Sequence, residues 1–204
     1  MTESAHQPRP TIARRTGVEP IHRGGQPLRA TVIDFWRWAY SDLLSNTTRG
    51  AFAEFIVAQS LGLDLGVRDA WSDCDLRLPT GLRVEVRSSA FIQSWAQQAP
   101  SRIVFSVRQS RRWDPDRGTY ADGRQRNADV FVFALLSETD RARIDPLDVA
   151  QWQFYVLSRR TIESRAGNAQ TLSLKRLTQL GAEISDFPSL RAVVERAHVP
   201  SSSS

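Results

Sequence analysis

The segment from Asp75 to Arg87 constrains this chain more than any other. Asp75-Leu76-Arg77-Leu78 is followed by Pro79-Thr80-Gly81, and then Leu82-Arg83-Val84-Glu85-Val86-Arg87 returns. Apolar residues take the even positions and charged residues the odd ones, which is the period of a β-strand on either side of a turn. The pattern predicts a hairpin with one wet face. If Leu78 faces Leu82, Asp75 falls opposite Glu85 with the two Cβ atoms roughly 5 Å apart. Arg87 then projects from the same face two residues further on. Opposed carboxylates destabilise a sheet unless a cation lies between them or a neighbouring positive charge offsets them. A hard divalent ion held by one or two carboxylates is the usual solution in phosphate chemistry. The other reading is a solvated face on which the charges of Asp75, Arg77, Arg83, Glu85 and Arg87 balance one another.

Upstream, Thr48 to Ala58 has helical spacing, with Phe52, Phe55 and Ile56 near one stripe and Glu54 beside it. Glu54 is the acid this helix could turn towards the hairpin, or else a first-turn glutamate favoured by the helix dipole. After the hairpin, Arg102 to Val107 has the β-rich composition of a core strand. Residues 108–127 then form a polar insertion in which Arg108, Arg111, Arg112, Arg117, Arg124 and Arg126 are interleaved with Trp113 and Tyr120. Arginines among aromatics suit phosphate contact and base stacking, although Asp114, Asp116 and Asp122 offset part of the charge. Val130 to Leu136 is nearly continuous in apolar residues, as a strand buried on both faces should be. Trp152 to Leu157 reads as another strand, and residues 158–197 as helices.

Acid, short gap and Glu-x-Lys on the returning strand is the signature of the PD-(D/E)XK nuclease superfamily, which this segment resembles with Asp75, Glu85 and Arg87 in the three positions. Arginine stands where the superfamily has lysine, no proline precedes Asp75, and Asp73 offers a second acid two residues back on the same face. Val84-Glu85-Val86-Arg87-Ser88-Ser89-Ala90 followed by Gln93-Ser94-Trp95 is similar to a bacterial group of nuclease-like proteins within the superfamily, in which the site lysine is normally present. Asp129 to Phe133 and Gln151 to Leu157 are similar to its further core strands, so the resemblance spans about Arg49 to Leu157.

The resemblance implies an α/β, restriction-endonuclease-like mixed β-sheet flanked by helices on both faces. It implies Mg²⁺, with Mn²⁺ as its substitute, held by Glu54, Asp75 and Glu85, and hydrolysis of DNA phosphodiesters with Asp75, Glu85 and Arg87 as the catalytic residues. Gln93, Ser88, Arg111 and Arg112 are the expected substrate contacts. A guanidinium stays protonated above pH 12 and cannot act as a base, so the alternative is a catalytically impaired nuclease-fold protein that binds nucleic acid or a protein partner.

Composition sets the remaining bounds. At 204 residues the chain suits one α/β domain, expected over residues 28–198 between a disordered arm at 1–27 and a disordered tail at 199–204. A helix is expected from about Ala30 to Leu44, with Trp36 and Trp38 as core or packing residues. The single cysteine, Cys74, excludes an internal disulfide framework and reads as a small buried residue. No apolar run approaches the ~18 residues of a membrane span, so no membrane partner is expected and the default location is cytoplasmic. The net charge is +5, and all but one of the 27 basic residues are arginine. That is compatible with nucleic acid as the partner. A homodimer is left open.

Overall fold

Two patterns in the sequence, the alternation of Leu82 to Arg87 and the apolar run of Val130 to Leu136, form adjacent strands at the centre of one sheet. The computed structural model describes residues 10–111, 113–114 and 118–198. A hairpin of β1 (Pro20–Arg23) and β2 (Gln26–Thr31) leads into α1 (Val32–Tyr40) and α2 (Asn46–Ser60). Next come β3 (Leu76–Arg77), β4 (Arg83–Ala90), β5 (Val104–Ser106), β6 (Trp113–Asp114) and β7 (Thr119–Tyr120). The remainder is β8 (Val130–Leu136), β9 (Trp152–Ser158), α3 (Arg159–Ala166), β10 (Thr171–Ser173), α4 (Leu174–Gln179), β11 (Glu183–Ser185) and α5 (Leu190–Ala197).

The main sheet has the order β11-β9-β8-β4-β3. β4 and β8 run parallel, from Val84 beside Val130 to Ala90 beside Leu136, and the other pairs are antiparallel. A parallel pair needs a long crossover, and the segment between β4 and β8 carries β5, β6 and β7. On one face Val84, Val86, Val130, Val132, Ala134, Phe154 and Val156 pack against Ala53, Ile56 and Val57 of α2 and Val193 and Val194 of α5. On the other, Phe131, Phe133, Leu135, Tyr155 and Leu157 pack against Ile162 of α3, Leu177 of α4 and the strand residues Phe105 and Leu172. Both faces are therefore covered by helices, in a mixed α/β arrangement. Each large apolar side chain buried this way stabilises the fold by about 1.5–3 kcal/mol. The Ser45 hydroxyl caps α2 by accepting from the Thr48 amide. No helix among the described residues is long and apolar enough to cross a membrane.

Several expectations are corrected. Residues 20–27, assigned to the arm, belong to the β1–β2 hairpin. α1 buries none of its residues and Trp38 is 84% exposed, because α1 follows this hairpin and does not lie on the main sheet. On α2 the buried stripe is Ala53, Ile56 and Val57, which leaves Phe55 half exposed. β5 pairs with β10 in a separate two-stranded sheet, so Thr171–Ser173, within the stretch read as helices, forms a strand. The β4 face that carries Arg83, Glu85 and Arg87 is only partly exposed, where a wet face was expected. Arg126 is buried and donates to the carbonyls of Val107, Gly167 and Ala169, which removes it from the surface of the insertion.

Candidate metal and phosphate site

The turn sets the register of the site. Leu78 donates to the Leu82 carbonyl at 2.9 Å, and the ladder continues with Arg77 beside Arg83 and Leu76 beside Val84. It stops there. Asp75 does not continue as a strand residue; its Oδ2 accepts the Val86 amide at 2.8 Å. The Val86 carbonyl in turn accepts from the Arg87 guanidinium at 3.0 Å. Two side chains thus satisfy a backbone donor and acceptor that no neighbouring strand reaches.

Glu85 and Arg87 lie beside Phe131 and Phe133 in register, on the same sheet face. The Arg87 guanidinium bridges the two acids, through Nη2 to Glu85 Oε1 and through Nη1 to Asp75 Oδ2 at 3.3 Å. From the opposite face α2 brings Glu54, whose carboxylate is gripped by both arms of Arg68, at 2.5 Å and 2.6 Å. Three carboxylates against two guanidiniums leave one negative charge in excess. The carboxyl groups respond to this. Burial, then the nearby Asp75 charge, pushes Glu85 up to about 7 even though Arg87 pulls it down. Asp75 is also raised, first by burial and then by Glu54, against the opposing pull of Arg87 and the Val86 amide.

Asp75 lines two cavities. One, of about 440 Å³, is bounded by Glu54, Phe55, Arg68 and Asp69. The other, of about 230 Å³, is bounded by Glu85, Arg111, Trp71, Trp113, Tyr120 and Asn127, among others. Asp73 borders the second cavity but pairs with Arg77 at 2.8 Å, so Asp75 is the acid joined to Arg87 and Glu85.

Asp75 and Glu85 suit a hard divalent cation: they offer oxygen donors, are largely withdrawn from water and share an excess of negative charge. The expected set of three is not assembled. Among the described residues no three His, Cys, Asp or Glu side chains stand where they could hold a metal ion, and Glu54 is engaged by Arg68. Magnesium keeps several waters and takes only one or two carboxylates, which matches the pair.

The expected substrate contacts divide. Arg111 borders the cavity with Glu85. Arg112 lies outside the described residues. Gln93 is buried, and its amide is used internally: Oε1 accepts from Arg49 at 3.0 Å and Nε2 donates to the Ala90 carbonyl at 2.8 Å. It anchors the start of α2 instead of facing substrate. Strand alternation turns Ser88 to the face opposite Glu85, and neither Ser88 nor Gln93 lines either cavity. Trp95 is half exposed. Cys74 is buried, and its thiol is pushed up to about 11 by burial and the adjacent Asp73, which leaves it inert near neutral pH.

Sequence reasoning missed Arg68, Trp71 and Asn127. Arg68 and Trp71 lie in an irregular stretch without periodicity, where only proximity in sequence to Asp75 could have drawn attention to them. Asn127 is 93% buried, its Nδ2 donates to the Ser110 hydroxyl at 3.2 Å, and its Oδ1 has no partner. No family model matches this sequence, and no curated protein matches it.

Proposed function

We propose that this chain is a restriction-endonuclease-like domain that hydrolyses DNA phosphodiesters with a divalent metal. The observation that carries the reading is the partly buried Asp75–Glu85 pair at the end of the β3–β4 ladder, with excess negative charge and Arg87 between the two acids. Asp75 and Glu85 would hold Mg²⁺ or Mn²⁺, which when bound supplies an activated water and stabilises charge on the reacting phosphate. Arg87 has a planar fork that can donate two parallel hydrogen bonds to phosphate oxygens, and it cannot accept a proton. Glu85, with its carboxyl near 7, is able to hold a proton around neutral pH and to release it when a cation arrives. Arg111 borders the same cavity and adds positive charge for the flanking phosphate backbone. A cytoplasmic location follows from this reading.

One observation favours a second reading. Arg87 hydrogen-bonds both acids, so the side chain that should meet phosphate also neutralises the metal ligands. That supports a nuclease-fold protein that has lost catalysis and binds nucleic acid or a protein partner. Nicking of supercoiled DNA in Mg²⁺ or Mn²⁺ separates the two. Slow nicking by the wild type, loss in Glu85→Ala and a gain of ~10²–10³ in Arg87→Lys, the size of one restored electrostatic contact, is the expected result. Wild-type cleavage that survives Glu85→Ala would sink the site, whereas cleavage seen only in Arg87→Lys would establish the second reading.

A further inference from the structure

We infer that the smaller cavity beside Asp75 and Glu85 receives one unpaired nucleobase, so that the substrate is single-stranded or locally opened nucleic acid. This rests on the proposal that the acid pair acts on nucleic acid. Trp71 and the cross-strand partners Trp113 and Tyr120 of the β6–β7 pair meet at this cavity. Their rings are tilted, with Trp71 and Trp113 centred 6.2 Å apart at 52° and Trp113 and Tyr120 5.0 Å apart at 70°. These are ordinary tilted and edge-to-face ring contacts, which leave much of Trp71 and Tyr120 open to solvent. Trp71 is 61% exposed and Tyr120 50%. Aromatic surface so accessible, clustered beside a charged site, has no packing role in the core.

The dimensions agree with a single base. At about 230 Å³ the cavity falls below the ~300–1,000 Å³ of sites that enclose drug-sized ligands, and its mostly polar lining includes three aromatic rings. Arg111 borders it, where the sugar-phosphate backbone of a seated nucleotide would pass. Asn127 also borders the cavity, with its partnerless Oδ1 closed off from solvent. Every unpaired base presents at least one N–H on its pairing edge: adenine N6, cytosine N4, guanine N1 and thymine N3. In a duplex those donors are used, and both base faces are covered by stacking. Solvent-open aromatic surface therefore distinguishes unpaired from paired nucleotides more than one base from another. The cavity shares Asp75 and Glu85 with the metal site, so a base seated there holds its own phosphate next to the acids.

The test uses the full chain without divalent metal and reads fluorescence anisotropy of a labelled single-stranded oligonucleotide, the same strand with central abasic sites, and its duplex. A 2-aminopurine reporter in the strand should be quenched on binding. The wild type should favour the intact single strand. Trp113→Ala should weaken that binding by about 5- to 150-fold, the range for removing a base-stacking aromatic, and leave duplex binding unchanged. Trp113→Phe should restore most of the affinity, which separates stacking from a folding defect. Equal loss on single strand, abasic strand and duplex would overturn the inference, as would deoxyadenosine monophosphate competing at the oligonucleotide's own concentration. If Glu85-dependent nicking is present but Trp113→Ala has no effect, the base pocket falls alone. If no form of nucleic acid binds, the underlying functional reading falls with it.

Discussion

Replacing Glu85 by glutamine keeps the shape of the side chain and its capacity to accept from Arg87, but removes the buried charge. The carboxyl rises from its ordinary 4.5 to about 7 in the fold, so the folded state binds this proton more tightly than the unfolded chain does. The associated stability is fully present below 4.5, declines between 4.5 and 7, and is gone above 7. At 1.36 kcal/mol for each pH unit, the ionised group costs the fold on the order of 3 kcal/mol at about pH 8. Asp129, Glu138 and Asp186, which are held below their ordinary values, are charged in both states above about pH 5, whereas Asp75 is raised as well and titrates in both proteins, so the Glu85 contribution is read from the difference between them. Urea unfolding followed by tryptophan fluorescence, in EDTA, should show wild-type stability falling from about pH 5 to pH 8 and Glu85→Gln falling less, with the Asp75 contribution left. At about pH 8 the variant should be the more stable by up to ~3 kcal/mol, and added Mg²⁺ should stabilise the wild type alone. A flat wild-type profile, or a variant less stable at the alkaline end, would show that pairing with Arg87 outweighs burial and would refute the reasoning.

Asp129 at the start of β8 accepts from the Arg83 amide and guanidinium at 2.7–3.2 Å. Burial pushes its carboxyl up, but these bonds outweigh that and hold it below the ordinary value. Asp129→Asn should cost ~1–3 kcal/mol near neutral pH, with the deficit shrinking as acid protonates the wild type, read from urea midpoints across a pH series. Arg126→Met should destabilise by ~2–4 kcal/mol in the same assay, because three carbonyls lose their donor at once. Cys74 should resist iodoacetamide near pH 8 in the native protein and react quickly in urea; fast native alkylation would contradict its burial.

The hairpin was legible because its signal is local: strict alternation and a Pro-Thr-Gly turn specify both period and register. The strands at Val130 and Trp152 were equally plain, since a strand buried on both faces must be apolar throughout. Burial of Glu85 was not legible, because it depends on the crossover segment that covers that face of β4. The same limit applies to Gln93, whose proximity to the motif in sequence conceals its bond to Arg49 across the start of α2. Arg68 could be found only in three dimensions, since nothing in its neighbourhood marks the partner of a glutamate one helix earlier. α1 misled for the opposite reason. Its aromatic spacing resembles a core helix, but spacing records a stripe and not what covers it.

The brevity of β3 has a consequence outside chemistry. It covers only Arg83 and Val84 of β4, and beyond it the Val86 amide and carbonyl are occupied by Asp75 and Arg87. A strand flank with free donors and acceptors recruits strands from other molecules. The two charged residues therefore act as guards against self-association as well as members of the site. Asp75→Ala would disarm the site and expose a template for intermolecular pairing, which would appear as concentration-dependent sedimentation. A lineage that no longer needed the chemistry would still be under pressure to keep a carboxylate and a cation at these positions.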